Sequence, residues 1–106
     1  MIEVVFTKKE GSYRGFSFFG HAEFAEEGED IVCAAVSALV ITTINSIEKF
    51  TDDLCQCQTG DGDVIFNFTD SVSKESKLLV DSLFLGISDI SQEYGDEFIR
   101  IEIKEV

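Results

Sequence analysis

Proline is absent from this 106-residue chain, histidine occurs once and cysteine three times. Without proline there is no stiff proline-rich spacer, and no stretch reads as a linker or low-complexity tract, so one domain is expected at this length. Three cysteines are too few, and odd in number, for a disulfide framework, which points to a reducing compartment. Positive charge is scarce as well: 8 Lys and Arg stand against 21 Asp and Glu, a formal charge of −13. The basic residues are scattered from Lys8 to Lys104, so nothing offsets the repulsion that a phosphate backbone or an anionic bilayer would meet. Neither nucleic acid nor membrane is expected as a direct ligand, and a partner should be neutral or basic. The opening MIEVVFTKKE lacks the basic leader and apolar run of a secretory signal, and a cytoplasmic location is expected.

What is present is apolar. Hydrophobic residues make up 44% of the chain and ten of them are Phe, far more than an acidic disordered tail carries. Residues 31–47, IVCAAVSALVITTINSI, contain no charge. Five of them are polar, so a core helix fits better than a membrane span. A single sheet covers only one side of such a helix, and a homodimer is expected to cover the other.

The periodicities give an element order. Strands are predicted over 2–7 and 13–21, the second placing Tyr13, Ser17, Phe19 and His21 on one face and Arg14, Phe16 and Phe18 on the other. A loop follows, and a helix over 31–50 is capped by Asp30. Strands over 54–59 and 64–69 are joined by a GDGD hairpin. Ser71 or Ser73 caps a second helix with the stripe Leu79, Leu83, Ile87, Ile90 and Tyr94, stopped by Gly95. A last strand covers 98–104. The expected fold is α+β in the order ββαββαβ, a mainly antiparallel five-stranded sheet with both helices on one side.

Chemistry concentrates between the second strand and the first helix. His21 ends the strand, and Cys33 follows twelve residues later. With Asp30 as N-cap, Cys33 takes the third helical position, where unpaired N–H groups and the positive helix end stabilise a thiolate. A neutral His21 can accept the thiol proton and later protonate a leaving amine. Glu23, Glu26, Glu27, Glu29 and Asp30 oppose the thiolate and favour protonated His21. Asp30 is the carboxylate placed to orient the imidazole, and Ser37 lies one turn beyond Cys33 on the same helix face. Two plainer readings stand beside these: Cys33 as an inert core thiol, and Ser37 bonded to the helix carbonyl four residues back. Cys55 and Cys57 alternate as CQC and read as small core residues. With His21 and Cys33 they make four zinc ligands in number, without a CxxC knuckle or a second His. The acidic loop lacks the spacing of a calcium loop. Phe16, Phe18, Phe19 and Phe24 either fill the core or line an apolar groove.

Residues 20–39, GHAEFAEEGEDIVCAAVSAL, resemble the signature of the ribosomal-processing cysteine proteases of the Prp family. The Gly-His-Ala segment stands at Gly20, His21 and Ala22, the loop glycine at Gly28, and Asp-Ile-Val-Cys-Ala-Ala-Val-Ser at residues 30–37. The resemblance implies a small homodimeric endopeptidase that removes a short N-terminal extension from the large-subunit ribosomal protein numbered twenty-seven. It implies Cys33 as nucleophile and His21 as general base, with Asp30 and Ser37 in support. The loop Ala22, Glu23, Phe24, Ala25, Glu26, Glu27, Gly28 and Glu29 would rearrange around a basic ribosomal protein precursor, and no metal or organic cofactor is required. Two competing readings are a non-catalytic module that binds a basic ribosomal protein and a zinc-binding regulator.

Overall fold

A computed structural model describes residues 1–20, 29–60, 62–94 and 97–106, with Glu29 and Asp30 described in their backbone only. The described residues form β1 (Ile2–Lys9), β2 (Ser12–Phe19), α1 (Glu29–Phe50), β3 (Cys55–Gly60), β4 (Asp63–Phe68), α2 (Lys74–Tyr94) and β5 (Ile99–Glu105). The five strands make one sheet in the order β3-β4-β2-β1-β5. Only β1 and β5 pair in parallel; the other three pairings are antiparallel. The expected ββαββαβ order and mainly antiparallel sheet are borne out.

Local chemistry explains the hairpins. Glu10 (φ 53°) and Gly11 (φ 80°) turn β1 into β2, the double positive φ that matches a right-handed strand twist. Gly62 (φ 81°) does the same between β3 and β4. The connections β2–α1–β3 and β4–α2–β5 each join parallel strands, and they leave from antiparallel strands in opposite directions across the sheet. Crossovers of one common hand therefore put both helices on the same face.

That face holds the core. Ile2, Val4 and Phe6 of β1 meet Phe16 and Phe18 of β2, Phe66 and Phe68 of β4, and Ile99 of β5. Phe16 stacks on Phe66 with centroids 4.9 Å apart. Helix α1 contributes Val32, Val36, Val40, Ile44 and Ile47, a step of four, four, four and three that keeps one side inward. It is the one helix among the described residues long and apolar enough to cross a membrane, yet Val32, Val36, Val40 and Ile47 are fully buried against the sheet. Within the single chain burial stops at that side, as expected of a helix covered by one sheet: Ile31 is 62% exposed and Ile41 48%.

Helix α2 begins where Ser73 Oγ accepts the Ser76 N–H at 3.1 Å, the geometry of an N-cap. It buries Ser76, Val80, Leu83 and Ile87. Of the expected stripe, Tyr94 departs by standing exposed, and Gly95 lies outside the described residues.

Strand β2 corrects the expected alternation. Thr7 pairs with Gly15 and Lys8 with Tyr13, so Arg14 is an extra residue in β2. Such a bulge shifts the side-chain phase by one. Tyr13 consequently joins Phe16 and Phe18 on the helix-facing side, 5.3 Å from the Phe6 ring and stacked on Phe84. Arg14 leaves that face and donates to the carbonyls of Phe68 (3.3 Å) and Asp70 (2.9 Å). Gly15 then lies so close to Asn67 and the Phe66 carbonyl that a β-carbon there has no room.

Candidate active site

The C-terminal end of β2 and the N-terminal end of α1 meet. Gly20 N–H donates to the Gly62 carbonyl at 2.8 Å, anchoring the strand end to the β3–β4 turn. A β-carbon at Gly20 would stand 3.0 Å from Phe18 Cζ, 3.4 Å from Ile2 Cγ1 and 3.5 Å from Cys33 Sγ. The chain therefore passes directly against the Cys33 thiol at the residue before His21. His21, Ala22, Glu23, Phe24, Ala25, Glu26, Glu27 and Gly28 lie outside the described residues, as do the side chains of Glu29 and Asp30.

Helix α1 starts at Glu29, earlier than a cap at Asp30 requires, so Cys33 is its fifth residue and not its third. The difference matters for the chemistry. Cys33 N–H is within the helical ladder, while the unpaired N–H groups lie in the first turn. A helical side chain slopes toward the N-terminus over the preceding turn, which directs the half-buried Cys33 toward those donors.

Ser37 is half-buried on the same face, one turn on. It opens a groove of about 440 Å³ between α1 and the β3–β4 hairpin, lined by Phe18, Ser37, Ile41, Ile44, Asn45, Glu48, Cys57, Thr59, Gly60, Gly62, Asp63 and Val64. Phe18 is thus both a core and a groove residue, with 4% of its surface exposed. The helical wall, Asn45 and Glu48 included, continues the Cys33 face at spacings of three and four, a pattern present in the sequence. The strand wall depends on the β3–β4 register, which periodicity cannot supply.

Cys55 and Cys57 divide. Cys55 packs half-buried against the core, whereas Cys57 is exposed and faces the groove, correcting its reading as a core residue. The reason is position: β3 is an edge strand, and the helical cover thins toward it. Burial, and then the Glu48 carboxylate, pushes the Cys57 thiol above its ordinary range. Cys55 is raised by burial, Glu48, Cys57 and Asp53. Among the described residues no three His, Cys, Asp or Glu side chains group as a metal site.

Residues 1–99 match the family described as cysteine protease Prp. The ribosomal processing cysteine protease Prp of Bacillus subtilis (strain 168) is 31% identical over 87 residues, 76% of this chain and 78% of that one. The essential ribosomal processing protease Prp of S. aureus in complex with a substrate peptide has the same fold, with TM-score 0.90 and 30% identity over 98% of this chain and 100% of that chain. Its complex with a covalently linked product peptide gives TM-score 0.85 and 31% identity at the same coverage. These matches replace the reading as a non-catalytic binding module with an enzyme. With the signature at residues 20–39 and the ββαββαβ sheet beside these matches, this chain belongs to the Prp family of ribosomal-processing cysteine proteases.

Proposed function

We propose that the protein is a thiol endopeptidase working through Cys33 and His21, and that its substrate is the precursor of the large-subunit ribosomal protein numbered twenty-seven, from which it removes a short N-terminal extension. The observation that carries the pairing is the approach of Gly20 to Cys33 Sγ, since residue 21 is one Cα step, about 3.8 Å, further along the chain. Cys33 Sγ attacks the scissile carbonyl while His21 takes the thiol proton. The tetrahedral oxyanion is met by first-turn N–H groups of α1. Collapse expels the amine, protonated by His21, and leaves a thioester that water hydrolyses to the acid and the free thiol. Asp30 orients the imidazole, Ser37 adds a hydroxyl beside the thiol, and the segment 22–29 is the element that rearranges when substrate binds. The chemistry needs no metal or organic cofactor.

A charge of −13 favours a basic protein substrate over nucleic acid or an anionic membrane. We further propose a cytoplasmic homodimer. Its support is the outward stripe Ile31, Ala34, Ala38 and Thr42 on α1, exposed and free of charge, which offers two acidic protomers an uncharged contact. The deciding assay is cleavage of a precursor peptide by the native protein, Cys33→Ala and His21→Ala, with circular dichroism as the folding control. Both variants should stay folded and lose about 10³-fold or more in kcat/KM. A folded Cys33→Ala that cuts at the native rate would falsify the assignment.

A further inference from the structure

Cysteine protease chemistry leaves the far end of the groove unused. Its helical wall follows the Cys33 face through Ser37 and Ile41 to Glu48. It is joined to the thiol through Gly62, which lines the groove and accepts the Gly20 N–H. Phe18, Ile41 and Val64 give it apolar walls; of its two carboxylates, Asp63 follows Gly62 at the near end and Glu48 stands on the helix at the far end. No basic residue is among those lining it, and Glu48 is near enough to Cys57 to raise its thiol pKa behind the effect of burial.

We infer that this groove holds an extended segment of the peptide substrate, and that Glu48 is a specificity residue that reads a lysine or arginine side chain at a fixed distance from the scissile bond. The inference rests on the protease reading with Cys33 as nucleophile. Fifteen helical positions separate Cys33 from Glu48, a span of about 22 Å at 1.5 Å per residue. An extended peptide covers that distance in about six or seven residues at roughly 3.3 Å each. The volume lies within the roughly 300–1,000 Å³ of ordinary ligand clefts. The peptide that Glu48 reads is therefore basic about six or seven residues from the cleaved bond on one side of it.

The test uses peptides that differ only in carrying Lys or Glu at successive positions on either side of the bond, with kcat/KM measured for each. The native protein should prefer Lys over Glu by about threefold to fivefold, the range of an exposed ion pair, at about six or seven residues on one side. Glu48→Lys should invert that ratio there. Asp89→Lys, the same charge change on exposed α2, should leave the ratio at the native value. An unchanged ratio in Glu48→Lys, or a preference centred at another distance, overturns the inference while leaving the protease assignment intact. Cleavage by Cys33→Ala at the native rate instead overturns the assignment on which it rests.

Discussion

Cys57 lines the groove and Cys33 stands one helical turn before Ser37 at its near end, and their surroundings separate the two thiols. Cys57 is exposed, yet burial of its sulfur together with Glu48 raises its pKa, so less thiolate is present at neutral pH. Iodoacetamide labelling mapped by mass spectrometry should show Cys57 reacting more slowly at pH 7 than an unperturbed thiol. Glu48→Gln should accelerate that labelling and move its pH midpoint downward, because one of the two raising causes is gone. No change on removing Glu48 would mean that burial alone governs this thiol. At this scale the proposal of Cys33 and His21 comes from a specific local signature in the sequence. The sequence misplaced Cys57, because alternation in CQC reports a shared face and not whether anything covers that face.

The elements are held by caps and turns whose residues are readable, and by a bulge that is not. Ser73 caps α2 and is itself held by Asp53, which accepts from its hydroxyl at 2.6 Å and its N–H at 3.0 Å. Burial raises the Asp53 pKa, but the bonds from Ser73 and Ser76 outweigh it and leave the carboxyl below its ordinary value of 3.8. A folded-state pKa below the unfolded one means that the stabilisation is complete above the unfolded value and is lost as pH falls through the folded one. Ser73→Ala should cost about 1 kcal/mol at neutral pH, the usual worth of a cap, and should flatten the fall of stability below pH 3.8. Urea titrations of both proteins across that range check the direction; an unchanged acid limb in the variant would detach Asp53 from acid stability. The Arg14 bulge left no comparable trace. A period of two cannot register one inserted residue, so the face assigned to Tyr13 was inverted.

For the molecule as a whole, the net charge of −13 opposes self-association, and the uncharged outer side of α1 is where that opposition is least. Ala38 is exposed in the middle of this side. Ala38→Glu places two further carboxylates across a symmetric contact, and like charges in such a contact repel. Sedimentation velocity should find the native protein as a dimer and Ala38→Glu as a folded monomer. A native monomer at micromolar concentration would refute the proposed assembly. The uncharged run was legible from the sequence, but its division into a buried side and an exposed side was not, because that depends on where the sheet lies.

Patterns that act over a few residues were determined by the sequence alone: the ββαββαβ order, the glycine turns at Gly11 and in the GDGD hairpin, a serine cap on α2 at Ser71 or Ser73, and the signature carrying His21 and Cys33. Each is fixed by backbone sterics, side-chain period or a local hydrogen bond. The tertiary structure decided the strand order, the phase of β2, the exposure of Cys57 and the groove from Ser37 to Glu48. Those depend on pairings such as Cys57 with Phe66 and Gly20 with Gly62, contacts between segments far apart in the chain whose register no local periodicity encodes.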